Sequence, residues 1–274
     1  MTSPDSNTAS NDKADNAAVV IERRDAVLIA RINRPDARNS LNSAVIGGLG
    51  SALLAAEEDS EIRALVLTGT GDRAFCAGMD LREFASGGAG APESADGKRA
   101  ADAFTRLAAS NTTIPVIGAA NATAVGGGLE LLSACDLIVA STAAKFALPE
   151  AKRGLFAAAG GTSLGNRIAL GVVLELLLTG EPITAERAER VGLVNVLAEP
   201  DQVLETAIAL ATTVAANAPL GLAASKELAR LAVTDPTAVP ERRKHWQKTV
   251  FTSADAAEGA TAFIERRTPN WQGK

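Results

Sequence analysis

No tyrosine occurs in this sequence, and histidine occurs once, at His245. Few side chains are then left to move protons near neutral pH, so the carboxylates of Asp and Glu become the leading candidates for acid–base chemistry. Cysteine is nearly as scarce. Cys76 and Cys135 are too few and too far apart for a disulfide framework or a metal site, so no metal is expected and a reducing cytoplasm is the expected compartment. Basic charge is also short: a formal net charge of -5 disfavours nucleic acid as a partner. No uninterrupted apolar run approaches the roughly 20 residues that a membrane-spanning helix needs, and no membrane association is expected. Residues 1–17, MTSPDSNTASNDKADNA, lack the apolar segment of a signal or anchor and are expected to form a disordered tail. What the chain has in quantity is hydrophobic content, 47% of 274 residues, enough to fill the core of one large domain or of one domain with an appendage.

From Ala18, AAVVIERR and AVLIARI alternate as two strands around a polar turn at Arg24 and Asp25, which predicts a hairpin. NRPDARNSLN breaks regular structure. Asn42 or Ser43 then suits the cap of a helix through AVIGGLGSALLAAEED, followed by a buried strand, ALVLTG. A second unit runs from the strand TIPVIGAA through Gly126, Gly127 and Gly128 into an apolar helix, LELLSA, and on to the strand DLIVAS. SGGAGAPESADG between the units reads as a loop. This order predicts an α/β domain with helices covering a mostly parallel sheet. Beyond about Pro200 the spacing is helical, and the alanine-rich faces suit packing either on the core or on another subunit.

Two stretches carry the chemistry. In GTGDRAFCAGMDL, residues 69–81, Gly69, Gly71 and Ala74 fall at the spacing of a dinucleotide fingerprint. No helical periodicity follows, which argues against nicotinamide binding. Gly78 instead permits a sharp turn that brings the Met79 amide close to a ligand. In NATAVGGGLELLSACDL, residues 121–137, three glycines before a helix leave backbone N–H groups unshielded at an end where the dipole favours negative charge. That pattern fits an oxyanion site, and it fits equally a tight strand-to-helix turn chosen for packing. Glu130 just inside the helix and Glu150 in FALPEAKRG form a candidate pair of carboxylates whose mutual repulsion and burial would separate acid from base. Cys76 beside the first loop lacks a recognisable histidine partner, which argues against a cysteine hydrolase.

Taken together, INRPDARNSLN, AFCAGMDL, PVIGAANATAVGGGLELLSACDL, FALPEAKRGLFAAAGGT and FTSADAAEGATAFIERR, in this order, resemble the crotonase superfamily, also called the enoyl-CoA hydratase/isomerase family, from about residue 18 onward. The resemblance implies a spiral of β-β-α units over 18–199 and a C-terminal helical region over 200–274 that assembles a homotrimer, or a homohexamer as a dimer of trimers. It implies an oxyanion hole from the backbone N–H groups of Met79 and Gly127, with Glu130 and Glu150 as catalytic residues. The substrate would be an acyl-CoA thioester, with coenzyme A entering as part of that substrate and no tightly bound cofactor. The substrate-binding set implied is Arg38, Ala77, Gly78, Asp80, Arg82 and Gly126, together with Phe263 and Arg266 from the C-terminal helix. Arg38, Arg82 and Arg266 would meet CoA phosphates, though each also reads as a surface arginine, and Phe263 reads as core or as acyl-pocket wall.

The activity implied is addition of water across the α,β double bond of an enoyl-CoA. The alternatives are double-bond isomerisation, dehydration of a hydroxyacyl-CoA, and acyl-CoA binding without catalysis. Ala122 and Ala158 stand where the family usually has glycine, and LFAAAGG, residues 155–161, replaces a proline-glycine turn. Ala122 and Ala158 bear on how a water would be held, and the changed turn bears on the shape of the acyl pocket.

Overall fold

The computed structural model describes residues 17–87 and 94–274, so the expected tail, apart from Ala17, lies outside the described residues. The hairpin forms as β1 (Val19–Arg24) and β2 (Val27–Ile32), antiparallel, with Asp25 in the left-handed region at the turn. Next come α1 (Ser43–Glu58), β3 (Ala64–Gly69), α2 (Leu81–Ala85), α3 (Ala95–Ala108), β4 (Val116–Ala120), β5 (Ala124–Val125), α4 (Gly127–Ala134), β6 (Leu137–Ser141) and β7 (Lys145–Ala147). After them come α5 (Leu170–Thr179), β8 (Ile183–Thr184), α6 (Ala185–Arg190) and β9 (Val196–Ala198). The chain continues as four helices: α7 (Val203–Ala215), α8 (Pro219–Thr234), α9 (Val239–Phe251) and α10 (Ala254–Glu265).

Six strands form one sheet in the order β1-β2-β3-β4-β6-β9, parallel throughout except for the β1–β2 hairpin. β5, β7 and β8 form a second, smaller sheet. Between them the chain repeats one move: a strand in the large sheet, a short pairing in the small layer, then a helix or helical turn. After β2 that pairing is Leu41 beside Met79, after β3 it is Cys76 beside Ala124, after β4 it is β5, and after β6 it is β7. This is the spiral of β-β-α units.

β3 is buried along its whole length because both of its faces are covered, which is why ALVLTG reads as a continuous apolar run. On one face Leu28, Leu65 and Leu67 pack with Val45, Leu49 and Leu53 of α1. On the other, α7 lays Val203, Ala207, Ala211 and Ala215 across Ile29, Val66, Ile117 and Val139. The helical C-terminal region thus begins with a helix that seals the sheet. Among the described residues no single helix is long and apolar enough to cross a membrane, and α7 and α8 are bent by 106° at their junction.

The loop expected over 86–97 is shorter than the sequence suggests. Ala95, Asp96 and Gly97 form the first turn of α3, where the Ser94 hydroxyl accepts from the Gly97 N–H at 3.0 Å. Ala100, Ala103 and Leu107 bury the face of that helix.

Candidate active site

The two glycine turns meet. Gly78 adopts φ 91° and Gly126 adopts φ 58°, backbone shapes that side chains resist. A Cβ on Gly78 would lie 3.2 Å from the Gly127 nitrogen, and one on Gly127 would lie 3.6 Å from the Met79 nitrogen. The strand-like bridge of Leu41 to Met79 uses the carbonyl of Gly78 and the N–H of Asp80, and so leaves the Met79 N–H out of the ladder. Gly127 opens α4, and its N–H is one of the end donors that no intrahelical carbonyl can reach. Gly126 supplies no side-chain cap. Among the described residues neither the Met79 nor the Gly127 N–H has a hydrogen-bond partner.

Both glutamates border the same turn. Glu130 is 5% exposed, and its Oε1 accepts from the backbone N–H groups of Ala159 at 2.8 Å and Gly161 at 2.9 Å. Its Oε2 lies 3.7 Å from the place a Gly127 Cβ would take. Glu150 starts a 3-10 turn, Glu150–Arg153, after β7, and its Oε1 is 3.0 Å from the place a Gly126 Cβ would take. Its Oε2 is buried and has no hydrogen-bond partner among the described residues.

The two carboxyls therefore sit in different surroundings. Two N–H donors hold one oxygen of Glu130. Burial pushes the Glu150 carboxyl above the ordinary glutamate value. A backbone N–H and Arg153 pull it down, while repulsion from Glu130 adds to the rise. Cys76 is buried, and burial pushes its thiol up to about 12, so it stays a neutral thiol beside the turn.

The remaining sites of interest divide into two groups. Ala77 donates its N–H to the Arg38 carbonyl at 3.0 Å, which joins the 34–39 loop to the 77–82 loop. Asp80 is bound to Arg34 at 2.9 Å and caps α2 through the Arg82 N–H at 3.1 Å, so its side chain braces the loop. Sequence reasoning missed that role of Arg34. Arg38 and Arg82 are exposed on these loops and carry no ion pair among the described residues. Phe263 is 85% exposed on α10, which removes the core alternative within this chain. No hydrogen bond or ion pair ties Arg266 to the glycine turns among the described residues.

The departures at 122 and 158 leave the clamp on Glu130 intact. Ala122 is buried at 7% beside Asn121, which accepts from the Gly69 N–H at 3.1 Å and donates to the Gly71 carbonyl at 2.6 Å. Ala158 is exposed, and the residues after it still turn their N–H groups onto Glu130.

Unpartnered main-chain donors beside paired carboxylates define a class of site that can hold a developing oxyanion while moving protons nearby. A family model described as Enoyl-CoA hydratase/isomerase matches residues 22–274, and the chain belongs to that family. A carnitinyl-CoA dehydratase of Proteus mirabilis (strain HI4320) is 36% identical over 92% of this chain and 97% of its own length. A 2,3-dehydroadipyl-CoA hydratase of Escherichia coli (strain K12) is also 36% identical, over 93% of this chain and 99% of its own. The crystal structure of an enoyl-CoA hydratase from Mycobacterium tuberculosis H37Rv superimposes with a TM-score of 0.85 at 43% identity, covering 94% of this chain and all of that one.

Proposed function

We propose that the chain is an enoyl-CoA hydratase, with Met79 and Gly127 N–H as its oxyanion hole and Glu130 and Glu150 as its acid–base pair. The observation that carries the reading is the convergence of two unpartnered amides with two carboxyls in unlike environments. In this reading the thioester oxygen accepts both N–H groups, which stabilise the negative charge that grows there as the enolate forms. Glu130 takes a proton from water while the water oxygen bonds to the β carbon. Glu150 delivers a proton to the α carbon, and its raised pKa supports that assignment.

Exposed apolar side chains at Met79, Leu81 and Phe84 beside the turn support an acyl group as occupant, and the unpaired Arg38 and Arg82 support contact with CoA phosphates. Assembly into a homotrimer or homohexamer belongs to the same reading. It is supported by Leu170, Leu174 and Leu178 on one side of α5 and by Phe263 and Ile264 on α10, all exposed in the single chain. Sedimentation at several concentrations tests it, and a monomer throughout would remove it.

The activity test follows loss of the enoyl-thioester absorbance of crotonyl-CoA with wild type, Glu130→Gln and Glu150→Gln. Equal and negligible turnover by all three, across acyl chain lengths, would end the hydratase reading. Tight acyl-CoA binding without product would then favour the non-catalytic alternative.

A further inference from the structure

The clamp on Glu130 and the helix that carries Glu130 are separate pieces of chain. Glu130 sits in the first turn of α4, whereas the donors on its Oε1 are the N–H groups of Ala159 and Gly161, reached some thirty residues later, 29 for one and 31 for the other. From Gly161 the chain makes a single 3-10 stretch, Gly161–Asn166, and ends it at Arg167. The Arg167 guanidinium turns back onto the far end of α4: Nη1 donates to the Cys135 carbonyl at 2.6 Å and the Ser133 carbonyl at 3.3 Å. Its Nη2 donates to the Asp136 carbonyl at 3.5 Å and to Asn195 Oδ1 at 3.3 Å, and Asn195 in turn accepts from Ile138 of β6 at 2.8 Å.

We infer that Arg167 is a positioning residue for the proposed hydration, locking the 159–166 segment to α4 so that the two N–H donors stay on Glu130. The inference rests on the reading of Glu130 as the base, but the mechanical link stands on the hydrogen bonds themselves. A helix end presents carbonyls without internal partners, and a planar guanidinium can take several at once. With α4 gripped at its C-terminal end by Arg167 and at its first turn by Ala159 and Gly161, the segment can neither slide along the helix nor lift away. Arg230 provides the contrast. It reaches the same helix end, donating to the Ala134 carbonyl at 3.3 Å and to Asp136 Oδ1 at 2.8 Å, but it comes from α8, which holds no part of Glu130.

The experiment compares Arg167→Met, Arg167→Lys and Arg230→Met by amide hydrogen exchange at Ala159 and Gly161 and by kcat and KM for crotonyl-CoA. In Arg167→Met, exchange at both amides should quicken and kcat should fall roughly tenfold or more, with KM within about twofold, because the base is displaced while substrate contacts remain. Arg167→Lys should recover part of both effects, and it keeps the test readable if the methionine variant fails to fold. Arg230→Met should lower Tm without moving either readout. Exchange at 159 and 161 unchanged from wild type in both Arg167 variants would overturn the inference. So would an Arg230→Met variant that reproduces the exchange and kcat changes. A wild type without turnover would sink the hydratase reading alone, since exchange still decides whether Arg167 holds the clamp.

Discussion

Two helices begin beside the same loops, and they begin in opposite ways. At the start of α1, Asn42 accepts from the Val45 N–H at 3.0 Å, and Glu83 takes both the Ser43 N–H, at 3.1 Å, and the Ser43 hydroxyl. At the start of α4 no side chain caps the end, and Gly126 and Gly127 have none to offer. A free helix end is a cost that folded chains ordinarily relieve with a cap. α5, α7, α8 and α9 also start without a side-chain cap, so what sets the start of α4 apart is its place beside Glu130 and Glu150, where the proposed reading puts the thioester oxygen.

The largest break in that comparison comes from the acids beside the open end. Glu130→Gln or Glu150→Gln should lower kcat on crotonyl-CoA by roughly 10²- to 10⁴-fold, the usual worth of a positioned acid or base, with the fold intact by circular dichroism. Next is the open end itself. Gly126 holds φ 58° and ψ -132°, and a Cβ there would approach Glu150 Oε1 to 3.0 Å, so Gly126→Ala should cost about 10²-fold in kcat, comparable to loss of one oxyanion donor. Wild-type turnover in that variant would mean that the two helix ends do not differ in function.

The closed end should behave conversely. Asn42→Ala should cost about 1 kcal/mol in urea unfolding while leaving kcat unchanged, since only a cap is lost. The smallest effect sharpens the electrostatic side. Because burial raises the Glu150 pKa above its ordinary 4.5, the folded state holds that proton to higher pH than the unfolded chain. Its contribution to stability is therefore full below the unfolded value and lost as pH rises through the folded one. Glu150→Gln removes that loss, so its Tm should match wild type in acid and exceed it slightly at alkaline pH. A variant less stable than wild type at alkaline pH would show that Glu150 gains more from its surroundings than burial takes.

The hairpin, a helix cap at Asn42 or Ser43, the buried β3 and the glycine turns at 78 and 126–128 were legible because each depends on what a residue is: a branched side chain, a small polar cap, a missing Cβ; the catalytic pairing of Glu130 with Glu150 came with the resemblance. The clamp from Ala159 and Gly161 was not, because a backbone donor leaves no signature in residue identity. Arg34 and Arg167 were invisible for a related reason. Their partners, Asp80 and the Ser133 and Cys135 carbonyls, are 46, 34 and 32 residues away, and nothing local announces the pairing. The helix α3 was passed over although Ala100, Ala103 and Leu107 recur at helical spacing on one face. Phe263 and Arg266 were drawn in by resemblance, and in the single chain Phe263 is exposed.

The amides of Met79 and Gly127 belong to the main chain, so any codon at 79 except one for proline alters the side chain without deleting the donor. If the proposed reading holds, the exposed Met79, Leu81 and Phe84 can change with the substrate while the donor atoms stay the same. Among ordinary substitutions only proline erases a donor, and it also fixes φ; an ester in place of a peptide link removes the N–H alone.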